Sequence, residues 1–396
     1  MVLPYHYKSF SLRLFVSVAL LNILGILVIN SATYNDTAVI GRQMTGAAIG
    51  AVLMFVICVI PYQKILNYAV PIFIACCVML VLVNIYGRIV GGARRWIVLP
   101  AIGQVQPSEF AKTGIILFFA WFFGKNQESI NKPQVLLLFT GLALIPVLLI
   151  ASEPDLSTTI VVLVCILSML FVAGISYKWI AASLAVILPF AAAFVVLLQH
   201  GMIPFLKDYQ ARRILAWIEP SKYADANLQQ DNSIMAIGSG QLFGKGLNNN
   251  TLASVKNGNF LSEEQTDFIF AVIGEELGFI GCIVVLLLYA VVVYECLYLA
   301  GKAADLEGKV ICTGMGVLIA FQGFANIAVA TGIFPNTPRR GSPGPPAPSP
   351  AHAPACALLL QRRPLPNKAA PISLLPCAQK PGSIKELPCG SSLPPA

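Results

Sequence analysis

The sequence predicts an all-α, polytopic membrane helix bundle, and three observations carry that prediction. Its residues are 57% hydrophobic and 11% charged, with a mean hydropathy of +0.76, outside the soluble range and inside that of multi-spanning membrane proteins. Apolar runs of about 18 residues, enough to cross a ~30 Å hydrocarbon core, recur along the chain. Lys and Arg are more frequent in every second connecting loop, and the positive-inside rule favours placing those loops in the cytoplasm.

Nine spans follow in order: 14–31, 43–60, 68–86, 110–124, 135–151, 156–174, 179–198, 277–299 and 310–330. The first lacks a small-residue cleavage site and reads as a span, not a signal peptide. The fourth and fifth are short. An inside N-terminus places Lys8, Arg13, Lys64, Lys125, Lys132, Lys178, Lys302 and Lys309 in the cytoplasm. The outside then receives Arg42, Arg88, Arg94 and Arg95, and a long polar extracytoplasmic loop, 199–266. The net charge of +8 suits an anionic membrane surface. Nucleic acid is not an expected partner, since no basic domain stands clear of the bilayer. The ten cysteines show neither metal spacing nor a disulfide framework; seven lie in or beside apolar runs, where Cys acts as a small hydrophobe. Residues 338–396 hold 15 of the 27 prolines. They read as a disordered tail, separate from a membrane domain over 1–337.

The outer loops gather the candidate chemistry. In GRIVGGARRWIVLP, Arg94 and Arg95 defy the positive-inside trend. Guanidinium forks match phosphate oxygens, and Trp96 is suited to headgroup level. An anionic headgroup site is one reading; a plain interfacial anchor is the other. Glu109 and Lys112 of QPSEFAK share a helix face at i,i+3 and read as a structural ion pair. Asp155 precedes Leu-Ser-Thr-Thr, where it either caps a helix or meets a sugar or cation. Arg212 and Arg213 add outer positive charge. Gly238, Gly240, Gly244 and Gly246 surround Lys245 and would let backbone amides approach a phosphate, or merely give a flexible link. In LSEEQTDFIFAVIGEELGFIG, Asp267 stands just before Phe268-Ile269-Phe270. A half-desolvated carboxylate there is a better base, and beside an arginine-rich surface it equips the chain to move a group off a phosphate-activated donor. The structural alternative makes Thr266 or Asp267 a helix N-cap and pairs Glu275 and Glu276 inside the bundle.

The motifs GGARRWI, QPSEFAK, EPDLSTT, YQARRI, AIGSGQLFGKG, QTDFIFAVIGEELGFIG and ATGIFPNT occur in this order. Over residues 10–337 the chain resembles the SEDS family of RodA, FtsW and their sporulation relative, and is most similar to RodA. The resemblance implies ten membrane helices and peptidoglycan glycosyltransferase activity on lipid II, the disaccharide-pentapeptide on undecaprenyl pyrophosphate. It implies that Asp267, in the family's Thr-Asp-Phe motif, is the general base. Arg94, Arg95 and Trp96 would lie beside the leaving pyrophosphate. A divalent cation, Mg or Mn, would assist, with ligands unknown. A class B penicillin-binding protein would be the partner, in a bacterial cell membrane. The family pattern continues past TGIFPNT into a Gly-Leu-Pro loop and a tenth span, whereas this chain turns Pro-rich. The composition points to a frameshifted or chimeric join near Thr337, or to a divergent natural tail. A lipid II flippase and an inactive scaffold of the wall-synthesis complex are the competing function classes. A flippase would place its ionisable groups and broken helices near the midplane.

Overall fold

The computed structural model describes residues 11–33, 37–90, 93–99, 103–153, 156–183, 224–248 and 268–334, with isolated positions between 185 and 197. All of them belong to one compact unit. The tail 338–396 lies outside the described residues.

The bundle is helical, as expected. Its helices are α1 (Leu12–Ala32), α2 (Thr37–Val59), α3 (Tyr62–Leu66), α4 (Ala69–Tyr86), α5 (Pro107–Lys125), α6 (Pro133–Ser152), α7 (Leu156–Val172), α8 (Ala224–Ser239), α9 (Ile269–Lys302) and α10 (Leu306–Ala330). Six of them, α1, α2, α4, α6, α9 and α10, are long and apolar enough to cross a membrane. α5 and α7 occupy the expected fourth and sixth positions. Of the expected span 179–198, residues 179–183 are helical and most of the rest lies outside the described residues.

The lipid-facing surface explains why so much apolar area is exposed. α1 turns Leu12, Val16, Leu20, Ile23 and Leu27 outward at spacings of three and four. It buries Leu14, Ser17, Val28, Ser31 and Ala32. α2 turns Gly46 and Gly50 inward. Both follow from a solvent as apolar as the core, in which close packing, not hydrophobicity, decides what faces in.

α5 is the central helix. It packs on α4, α7 and α10 and buries most of its length. Phe118, Phe119, Phe122 and Phe123 form an aromatic cluster with Phe73 of α4 and Phe139 of α6; the Phe73 and Phe118 rings stack 4.0 Å apart. Protein on most sides lets this helix carry Glu109 and Lys112.

Polar ties clasp one end of the bundle. Tyr62 donates to Asp305 at 2.5 Å, Ser11 donates to Glu295 at 3.1 Å, and Arg13 lies 3.6 Å from the same Glu295 carboxylate.

Three features differ from the sequence reading. First, the segment before α5, read as an outer loop, forms a small antiparallel sheet, β1 (Arg88–Val90), β2 (Ala93–Leu99) and β3 (Gly103–Val105), in the order β1-β2-β3. β1 and β3, three residues each, are too short for the alternation to show in sequence. Second, the polar loop 199–266 contains α8. This helix buries two polar residues, Gln230 and Ser233, beside Ala236. Gln230 donates to the carbonyls of Val329 and Phe334 at 2.8 and 2.7 Å, and Ser233 to that of Ala330 at 2.8 Å. Those bonds satisfy carbonyls at and beyond the C-terminus of α10. Leu228 and Met235 face outward. Third, the eighth span does not begin at 277. α9 starts at Ile269 and is broken at Gly278, whose φ of 67° and ψ of −165° are not helical. The carboxylates Glu275 and Glu276 therefore sit inside this broken helix, just before the break.

Candidate active site

The break in α9 organises the site. A regular helix would bond Phe279 N–H to Glu275 C=O and Ile280 N–H to Glu276 C=O. At Gly278 those two bonds are lost, and a loop from the 199–266 region supplies partners for all four groups. Lys245 N–H donates to Glu275 C=O and Gly246 N–H to Glu276 C=O, both at 2.9 Å. Phe279 N–H donates to Gln241 C=O at 2.9 Å and Ile280 N–H to Leu242 C=O at 3.2 Å. Unmade, each such group would cost several kcal/mol in a bilayer.

The glycines of AIGSGQLFGKG serve this splice. A Cβ on Gly240 would stand 1.9 Å from Gly274 O, and one on Gly278 would stand 2.3 Å from Gly244 N. The reading of these glycines as a phosphate cradle is thereby corrected. The amides of Lys245 and Gly246 are bonded to α9, and the backbones approach each other, not a phosphate. Lys245 is likewise placed differently from its expected headgroup role: its ammonium lies 2.8 Å from the buried Glu275 carboxylate. Glu276, also buried, accepts a short hydrogen bond from Ser31 of α1. Ser31 in turn accepts from Asn248 N–H at 3.0 Å. Glu275 and Glu276 thus lie inside the bundle, as the structural alternative had it, but with Lys245 and Ser31 as partners.

Arg94 and Arg95 lie on β2. Arg95 Nε donates to Glu153 C=O at 3.0 Å, joining the sheet to the C-terminus of α6. Trp96 is half-buried and pairs in register with Arg88. Glu109 and Lys112 form their pair at 2.8 Å, with Lys112 buried. Asp155, Arg212, Arg213 and Asp267 lie outside the described residues.

Two cavities relate these elements. An apolar one of about 450 Å³ lies between α1, α9 and α10, lined by Val28, Ile269, Phe270, Tyr289, Gln322 and Asn326 among others. A polar one of about 140 Å³ is lined by Lys112, Ser157, Thr158, Gln322 and Asn326. Gln322 and Asn326 line both, so α10 brings the Glu109–Lys112 pair close to the start of α9. Neither amide was singled out from sequence. The signal was available: two amides one turn apart within a membrane span are costly unless used.

Removing one member of the Glu109–Lys112 pair should be worse than removing both. Lys112→Met is expected to destabilise by about 3 kcal/mol, the low end for a buried pair, because Glu109 keeps 16% exposure. Glu109→Gln/Lys112→Met should recover most of that loss, read as thermal unfolding in detergent.

The family model for the cell cycle proteins FtsW, RodA and SpoVE matches residues 11–338. The chain belongs to this family. Among its SEDS relatives, the peptidoglycan glycosyltransferase MrdB of Escherichia coli K12 is 35% identical over 314 residues, 78% of this chain and 80% of that protein. The stage V sporulation protein E of Bacillus subtilis is 34% identical over 311 residues, 75% of this chain and 78% of that one. The SEDS fold is shared with a solved peptidoglycan synthase complex, with a TM-score of 0.71 and 26% identity, covering 89% of this chain and 96% of that one. The crystal structure of the rod shape determining protein RodA of Thermus thermophilus gives a TM-score of 0.62 at 25% identity, with the same coverage. As a SEDS protein with several membrane-crossing helices, the chain is a multi-pass bacterial membrane protein.

Proposed function

We propose that this peptidoglycan glycosyltransferase of cell-wall synthesis takes lipid II as its substrate and extends a glycan strand on the outer face of the membrane. The observation that carries the reading is the apolar cavity between α1, α9 and α10. Its lining includes Ile269, two residues after Asp267 in sequence. An apolar cleft with few polar groups suits a polyprenyl chain, and the carboxylate stands in sequence where such a lipid would present its headgroup.

The Asp267 carboxylate takes the proton of the acceptor GlcNAc 4-hydroxyl. The hydroxyl oxygen forms a bond to MurNAc C1, and the C1–oxygen bond to the pyrophosphate breaks, undecaprenyl pyrophosphate leaving with the electron pair. Arg94, Arg95, Arg212 and Arg213 hold the pyrophosphate, and Trp96 lies at headgroup level. Among the described residues no three potential ligands converge on a metal site, and Glu109 and Glu275 are paired with lysines. The divalent cation, Mg or Mn, is proposed to assist from acids of the outer loops that lie outside the described residues. A class B penicillin-binding protein is the proposed partner. The N-terminus is placed in the cytoplasm by the Lys and Arg of the loops.

A flippase is the second reading, and one observation favours it: a broken helix with polar groups inside the bundle is a transporter feature. The deciding experiment incubates the purified chain with labelled lipid II. Polymer on a gel supports the glycosyltransferase. Translocation in liposomes without polymer supports the flippase, and neither, with a penicillin-binding protein still bound, supports a scaffold.

Arg95 carries a further prediction. Arg95→Ala should lower use of lipid II, and Arg95→Lys should rescue poorly because Lys lacks the planar fork. Initial rates over a lipid II titration measure both; full activity with Lys would reduce Arg95 to a membrane anchor.

A further inference from the structure

We propose that Lys245 and Glu275 are positioning residues for the glycosyl-transfer step, acting by fixing the first segment of α9. The inference rests on the reading of Asp267 as the base. At Gly278 α9 loses the bonds that would hold its two segments to one axis. The direction of Ile269–Leu277 is then set by whatever bridges the break. The loop Gln241–Gly246 is that splint. Gln241 and Leu242 accept from the second segment, while Lys245 and Gly246 donate to the first. Backbone bonds of this kind leave a hinge. The Lys245–Glu275 ion pair, at 2.8 Å with Glu275 2% exposed, adds a charge-assisted bond on the first-segment side. Glu276 and Asn248, both bonded to Ser31, tie that segment and the loop to α1. Phe268 alone separates Asp267 from the first residue of α9, so a swing of this segment moves the backbone that leads to the base. Displacing a reacting group by 1 Å can cost about 10²-fold in rate.

Lys245→Met alone would strand a buried carboxylate and risks unfolding. The test therefore uses the neutral double variant Lys245→Met/Glu275→Gln in the full chain, beside the wild type, Lys245→Arg and Asp267→Asn. Initial rates are measured over a lipid II titration, and backbone hydrogen exchange over 268–277. The expected result for the double variant is a kcat roughly 10²-fold lower with KM and thermal stability held, and faster exchange in 268–277. Lys245→Arg should retain most of kcat. An unchanged kcat or unchanged exchange in the folded double variant overturns the proposal. So does a raised KM with normal kcat, which would return Lys245 to headgroup binding. The Asp267→Asn arm separates this from the underlying reading: if that variant polymerises normally, Asp267 is not the base, whatever Lys245 does, while the exchange measurement still reports whether the pair fixes α9.

Discussion

Asp267→Asn is expected to abolish polymerisation, lowering the rate by about 10²–10⁴-fold, the usual cost of losing a general base. The substitution keeps the size and removes the charge. Thermal unfolding and membrane insertion should therefore stay near wild type, while polymer disappears from the gel. Three features point to this outcome: a carboxylate two residues before α9 in the sequence, an apolar cavity whose lining includes Ile269, and the match to the family's Thr-Asp-Phe motif. Near-normal polymer from Asp267→Asn would remove the residue from the chemistry and leave the cavity as a lipid-binding or lipid-translocating feature. Asp267→Glu is a useful companion. It restores the charge one methylene further out and should recover only part of the rate, since geometry matters as much as basicity.

The second large effect is on stability. Gly278→Ala should cost about 2–6 kcal/mol, adding backbone strain of 1–3 to overpacking of a similar size. Gly278 has a conformation open essentially to glycine alone, and its Cβ would meet the backbone of Gly244 and Phe243. Gly240→Ala should be comparably disruptive, because the group it meets is the carbonyl of Gly274. Gly238→Ala, two residues away, projects into open space and should leave stability unchanged or slightly raised. Thermal unfolding of the three variants in one detergent decides the matter. If Gly278→Ala melted with the wild type, the broken helix would not be a feature of the folded protein.

Parts of the site were legible in the sequence and parts were not. Glu109 and Lys112 could be paired from spacing alone, because i,i+3 residues share a helix face whatever surrounds them. The burial of Glu275 and Glu276 could be posed only as an alternative. Their partners, Lys245 and Ser31, are 30 and 245 residues away in the chain, and no local pattern links them. Lys245 was misplaced for the same reason. A lysine among glycines has the composition of a phosphate loop, and only the fold shows that another backbone occupies the place of the phosphate. Gln322 and Asn326 carried a local signal, two amides in a membrane span, but their meaning depends on the two cavities that both of them line.

By itself the sequence determined that this is a helical membrane protein, where most of its spans lie, and which family motifs it carries. Those follow from local quantities: the length of apolar runs against the thickness of the bilayer, the loop charges, and short residue patterns. The tertiary structure decided what the polar residues are for. In a bilayer the backbone polar groups must find protein partners, and a buried charge is costly without one. Which partner it finds depends on segments brought together from far apart: α8 onto the end of α10, the Gln241–Gly246 loop into the break of α9, and Ser31 onto Glu276.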